Sequence, residues 1–151
     1  MSKYFVTKTF NPNKGYSCTF RNWRAKSHCR HLHGYDLVFQ VTFECAPQDL
    51  TPEGWVVDFG ALGPLKDQIE KTFDHTLLVA EDDPFKDEIC ALAGLDVANI
   101  VVLPRVGCEA FSLWLAIEAT TCLEQIGRLG PVAVRNAVVY EHGANQGGYI
   151  V

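Results

Sequence analysis

The stretch Ser27-His28-Cys29-Arg30-His31-Leu32-His33-Gly34-Tyr35-Asp36-Leu37-Val38-Phe39-Gln40-Val41-Thr42-Phe43-Glu44-Cys45 changes character part-way along. Its second half alternates. Leu37, Phe39, Val41, Phe43 and Cys45 fall on one face, with Asp36, Gln40, Thr42 and Glu44 on the other. That is the period of a half-buried strand, expected over about 33–46. Its first half gathers three of the chain's five histidines and one of its six cysteines within six residues. Imidazole and thiolate bind zinc and move protons near neutral pH. If the strand begins a few residues before 33, Cys29, His31 and His33 share parity and point into one pocket.

Outward from this strand, residues 3–10 read as a first strand. Asn11-Pro12-Asn13-Lys14-Gly15 is a turn, Tyr16–Phe20 a second strand, and Arg21–Ser27 a loop. Towards the C-terminus, Trp55-Val56-Val57 reads as a short strand, and Asp58 caps a helix running to about Thr72 with Pro64 in its first turn. Asp83-Pro84 opens a short helix closed by Gly94, and Asn99–Leu103 is a strand. The longest helix spans about Glu109 to Ile126, with Leu113, Trp114, Ile117 and Thr121 as its expected buried stripe. Val132–Glu141 is a final strand, followed by a tail whose Gly143, Gly147 and Gly148 suggest turns. Strands, then helices, then a strand spell an α+β fold, an antiparallel sheet with helices on one face.

Composition narrows the function. A length of 151 residues suggests one domain, and an apolar fraction of 48% suits a globule with a real core. The net charge of −5 comes with no basic run, so a nucleic-acid partner is not expected. No apolar stretch is long enough to span a bilayer, and the first ten residues lack a signal-peptide core, so no membrane role is expected and the expected location is cytoplasmic. The cysteines form no CxxC pair and should be free thiols. Cys45, Cys90 and Cys122 lie in apolar patterns and read as packing; Cys18 and Cys29 flank the histidines and stay open.

Five landmarks in order, between about residues 16 and 149, resemble the 6-pyruvoyltetrahydropterin synthase and 6-carboxytetrahydropterin synthase family. Cys29-x-x-x-His33-Gly34 is similar to that family's Cys-x-x-x-His-Gly-His. Gly54-Trp55-Val56-Val57-Asp58-Phe59 is similar to its G-(W/M)-V-x-D-F, and Phe73-Asp74-His75-x-x-Leu78 to its L-D-H-x-x-L-N. Glu109 opens the long helix where the family has P-T-x-E, and Glu141 ends the last strand where the family has its pterin-binding glutamate. The resemblance implies the tunnelling fold, with a helix pair on one face of the sheet and active sites between subunits. It implies a homo-oligomer, a hexamer of two stacked trimers. It also implies a pterin substrate, 7,8-dihydroneopterin triphosphate, and a zinc cofactor. Carried over, Cys29 is the catalytic thiol, Asp74 and His75 complete its acid–base set, and Glu141 anchors the pterin with Glu109 nearby. The implied activity is a lyase of the 6-carboxy type, serving 7-deazaguanine and queuosine synthesis, or of the 6-pyruvoyl type.

The metal ligands depart from the family's pattern. Phe20 stands where its first ligand histidine is expected and Tyr35 where its last is, so only His33 keeps register. A rebuilt set is chemically sensible: His31 and His33, spaced i, i+2, with Cys18 or His28 as third donor. Three readings follow from these residues. One is the lyase, the second a non-catalytic pterin-binding relative with a degenerate zinc site, the third a structural metal site in a protein of unrelated function. Arg21, Arg24, Lys26 and Arg30 either hold a triphosphate or form a solvated loop.

Overall fold

A computed structural model describes all residues, 1–151. Strand β1 (Tyr4–Phe10) and strand β2 (Tyr16–Phe20) run in the same direction along one edge of the long strand β3 (His33–Cys45). Tyr4–Phe10 pairs antiparallel with Cys45–Phe39, and Tyr16–Phe20 with Leu37–His33. Residues 11–15 are therefore an excursion between two strands that follow one side of β3 in the same direction, not a reversal. Gly15 returns the chain at φ 73°, with an added Cβ only 2.9 Å from the Asp36 carbonyl carbon, so glycine is required.

After β3 come helix α1 (Gly63–Phe73), strand β4 (Thr76–Ala80), the short helix α2 (Lys86–Cys90), strand β5 (Ile100–Leu103), helix α3 (Cys108–Gln125), strand β6 (Val132–His142) and strand β7 (Asn145–Ile150). The sheet has seven strands in the order β5-β4-β2-β3-β6-β7, with β1 beside β2 on β3. Its centre is antiparallel, as expected. The β2–β4 and β4–β5 pairs are parallel, because β4 and β5 each leave a helical segment and return in the same direction.

The alternation of β3 decides the core. Leu37, Phe39, Val41 and Phe43 have no exposed surface and Cys45 is buried. The two long helices cover that face. Phe39 of β3, Phe73 of α1 and Phe111 of α3 pack in sequence, with ring centroids 4.5 and 5.1 Å apart. Burying each such side chain contributes roughly 1.5–3 kcal/mol. The helix starts follow local chemistry. Asp58 accepts from the Gly60 N–H at 2.8 Å, capping a 3-10 turn (Phe59–Leu62) that leads into α1 with Pro64 in its first turn.

Several expectations are corrected. Trp55-Val56-Val57 is not a strand, because no neighbouring strand pairs with it; Arg128 donates to the Val56 carbonyl instead. The helix expected after Asp83-Pro84 begins only at Lys86, and Asp96 in the left-handed region, not Gly94, ends the 3-10 turn that follows it. Cys90 is only half-buried. On α3, Leu113 and Ile117 are exposed; the buried side is Phe111, Ser112, Leu115, Ala116, Ala119, Cys122 and Leu123. The glycine-bearing tail is strand β7. Gly147 lies so close to α3 that an added Cβ would sit 2.7 Å from the Cys108 Cβ, so the glycine serves close packing.

Candidate active site

The strand parity that would align Cys29, His31 and His33 stops at the first paired residue, His33. Residues 28–30 form a 3-10 turn instead. Ser27 Oγ accepts from the Cys29 N–H at 3.3 Å, and the Asn22 N–H donates to the Cys29 carbonyl at 2.9 Å. The Arg21 guanidinium holds this turn from outside. It donates to the Arg30 carbonyl at 3.3 Å and forks onto the buried Asp83 carboxylate at 2.8 and 2.6 Å. That fork holds the Asp83 carboxyl below the usual carboxylate range. Arg24 is likewise committed, to Asp82 at 2.6 Å. Lys26 and Arg30 remain exposed.

The turn delivers Cys29 to a cavity of about 450 Å³. Phe20, Asn22, Tyr35, residues 107–109, Glu141 and residues 144–146 complete its lining. Glu109 lies in the first turn of α3, where the helix N-terminus favours a carboxylate. Glu141 sits at the register shift between Tyr140 and His142, where β6 has one residue more than β7. Such a bulge re-aims a side chain. A helix start, a bulge and a 3-10 turn thus bring Cys29, Glu109 and Glu141 to one cavity. Sequence reasoning missed Cys108 and Asn22 as lining residues. The close approach of Gly147 to Cys108 is a backbone contact with no sequence signature. Burial, Glu141 and Glu109 push the Cys108 thiol up to about 11, so it stays protonated. Tyr35 is raised to about 12 by burial and by Glu141, and stays a neutral donor.

Asp74 and His75 do not line this cavity. They form a pair between α1 and β4, His75 exposed and Asp74 half-buried, with His75 Nδ1 3.1 Å from the Asp74 carboxylate. His75 has φ 56° and donates its N–H to the Ser17 carbonyl at 2.6 Å. A left-handed histidine fixed by a backbone bond is a local strain of the kind stored at functional sites.

The expected metal donors are not gathered. Cys18 is buried opposite Tyr35, and burial pushes its thiol up to about 12. His28 and His31 are exposed on the turn. His33 Nδ1 lies 3.0 Å from the His31 carbonyl. No group of three or more His, Cys, Asp or Glu is arranged to hold a metal ion. Phe20 and Tyr35 instead stack at 4.1 Å with planes 9° apart. The residues present do not fit the zinc ion that the resemblance implies.

The family model for 6-pyruvoyl tetrahydropterin synthase matches residues 9–147. The chain belongs to the 6-pyruvoyl tetrahydropterin synthase family. Among solved structures it is similar to the uncharacterized protein WS1659 from Wolinella succinogenes, at 20% identity over 99% of both chains, with a TM-score of 0.80. It is also similar to the 6-pyruvoyl tetrahydropterin synthase of Plasmodium vivax, at 14% identity over 99% of this chain and 98% of that one, with a TM-score of 0.64. The Plasmodium falciparum synthase matches at 13% identity over 100% of both chains, with a TM-score of 0.65. These likenesses carry the fold. No curated protein matches the chain in sequence. The 6-pyruvoyl tetrahydropterin synthase family includes lyases acting on pterin substrates, and no helix of this member is long and apolar enough to cross a membrane.

Proposed function

We propose that this chain is a lyase acting on 7,8-dihydroneopterin triphosphate in the Cys29–Glu109–Glu141 cavity. The reading is of the branch that releases acetaldehyde and triphosphate to give 6-carboxytetrahydropterin for 7-deazaguanine and queuosine synthesis. The observation that carries it is the convergence of the Cys29 thiol and the Glu109 and Glu141 carboxylates, from three separate elements, on one cavity. Its volume is in the range of small-ligand sites. The Glu141 carboxylate accepts hydrogen bonds from the pterin's amino group and ring N–H, a paired match. Phe20 and Tyr35 give the cavity an aromatic wall.

Cys29 is the base that takes a proton from a hydroxyl-bearing side-chain carbon. The C–H electron pair becomes a carbon–carbon double bond, the neighbouring C–O bond breaks, and triphosphate leaves with that bond's pair. Proton shifts then turn the enol and the remaining carbinol into two adjacent carbonyls while the ring C=N is reduced. In the 6-carboxy branch water adds to the carbonyl next to the ring and the bond between the two carbonyl carbons breaks, leaving the carboxylate and releasing acetaldehyde. Cys108, held as a neutral thiol, is not the base. The Asp74–His75 pair of a second copy supplies the returning proton, in an assembly of the hexameric kind that the resemblance implies. The exposure of His75 supports this, because an acid–base pair outside its own cavity is available to a neighbour's.

The test is turnover of dihydroneopterin triphosphate by untagged protein, with products separated by chromatography. Acetaldehyde is expected for the 6-carboxy branch and absent for the 6-pyruvoyl branch. Cys29→Ala should cut turnover by about 100-fold or more while leaving pterin binding intact. Wild-type rates in that variant overturn the base assignment. The aromatic pair where two metal ligands are expected favours a second reading, a non-catalytic pterin-binding relative. Pterin binding with no triphosphate release would establish it.

A further inference from the structure

Residues 20, 33 and 35 keep the geometry of a three-ligand cluster while losing its chemistry. Phe20 lies directly opposite His33 in the β2–β3 ladder, and its ring stacks on Tyr35 at 4.1 Å. The His33 ring is 4.5 Å from Tyr35. The three side chains therefore converge. An ion among them would need a gap wide enough for bonds of about 2.0–2.1 Å to each ligand atom. Rings stacked with planes 9° apart leave no such gap. Phe20 is also wedged edge-on against Phe111, at 5.2 Å and 89°, so it cannot swing away without opening the core. Phenylalanine has no donor atom. Phe20 and Tyr35 both line the cavity that holds Cys29 and Glu141, and of the two only Tyr35 carries a polar atom.

We propose that this site works without a metal, and that the Tyr35 hydroxyl holds the side-chain oxygen of the bound pterin while the Phe20–Tyr35 stack fills the space of the ion. This rests on the pterin reading of the cavity. A phenol is both donor and acceptor, so it pairs with a substrate hydroxyl in either sense. Its ring is fixed on two sides, by Phe20 and by His33, so the hydroxyl is pre-positioned. Tyr35 is then a specificity residue for a hydroxylated side chain, not for the pterin ring, which Glu141 holds.

The experiment has two arms. In the first, zinc is counted by elemental analysis after equilibration of untagged protein with zinc and gel filtration. Wild type should carry far less than one zinc per chain. Phe20→His/Tyr35→His, which returns imidazoles to the three converging positions, should gain about one. A stoichiometric zinc in wild type, lost on Tyr35→Phe or His33→Ala, overturns the proposal. In the second arm, calorimetry compares 7,8-dihydroneopterin with 6-methyl-7,8-dihydropterin, which lacks the side-chain hydroxyls. Wild-type affinity for both should be unchanged by a chelator. Tyr35→Phe, which keeps the stack, should weaken dihydroneopterin about five- to tenfold, the scale of one hydrogen bond, and leave the methyl compound unaffected. Equal affinities of Tyr35→Phe and wild type for dihydroneopterin overturn the hydroxyl's role and leave the pterin reading standing. Failure of wild type to bind either compound overturns the pterin reading, and the zinc count still decides whether the cluster is metal-free.

Discussion

The two ends of β3 make unlike uses of one strand. From Leu37 to Cys45 it is paired on both sides over most of its length, by β1 or β2 and by β6, and its inward side chains are sealed beneath α1 and α3. From His33 to Tyr35 it pairs only with β2, its side chains are half-exposed, and they meet a cavity. Alternation assigns faces only where a ladder holds the chain extended. Beyond His33 that constraint is absent, and a 3-10 turn tied by Arg21 and Ser27 decides where Cys29 goes.

The contrast breaks most visibly in the core. Phe39→Ala should cost about 3–5 kcal/mol in denaturant unfolding, because Phe39 packs between Tyr16 and Phe73 and its removal leaves a cavity. At the site end, Glu141→Gln should weaken pterin binding by about 1.5–3 kcal/mol in calorimetry, with little change in unfolding. A stability loss larger than the affinity loss would make Glu141 structural.

Arg21→Ala sharpens the comparison, since it touches the tether of the turn rather than the strand. It should cost about 2 kcal/mol, reduced from the value for a fully buried pair by the partial exposure of Arg21. It should also lower turnover by displacing Cys29. Because Asp83 is depressed in the folded state, this pair's stabilisation is complete above the ordinary carboxyl value of 3.8 and is lost as pH falls through the lower folded value. Wild type should therefore lose stability in that acid window, and Arg21→Ala should lose less there. Identical acid profiles would remove the pair from the account. The smallest effect expected is Cys45→Ala, about 1 kcal/mol of unfolding stability with turnover unchanged.

Much of this was legible in the sequence, for local reasons. The long run of β3, the span of α3 from about Glu109 to Ile126, and the apolar strand β6 carry their own signals. The missed strand β4 reads Thr-Leu-Leu-Val-Ala, an unalternating run that starts straight after α1 through a left-handed histidine rather than a glycine. An unbroken apolar run is how a buried parallel strand reads, but periodicity alone does not separate so short a run from a buried helix segment. On α3, apolar residues occupy nearly every side, so spacing could not choose the stripe, and neighbours in space did. The same holds at the site. Cys29, Glu109 and Glu141 could be named from motifs. Their meeting depends on a bulge in β6 and a glycine in β7, neither of which the motifs mention.

The excursion at residues 11–15 has a consequence for how such a chain tolerates change. Moving a strand by one residue turns every side chain to the opposite face. A residue gained or lost within β1 would ordinarily pass such a slip along the whole edge, carrying Cys18 and Phe20 out of the interior. Here the edge is broken in two by exposed residues Pro12, Asn13 and Lys14, and it is re-anchored at Gly15 against Asp36. A residue inserted on the β1 side should be taken up in those three residues before it reaches the cavity. The segment acts as an expansion joint between the outer and inner halves of that edge.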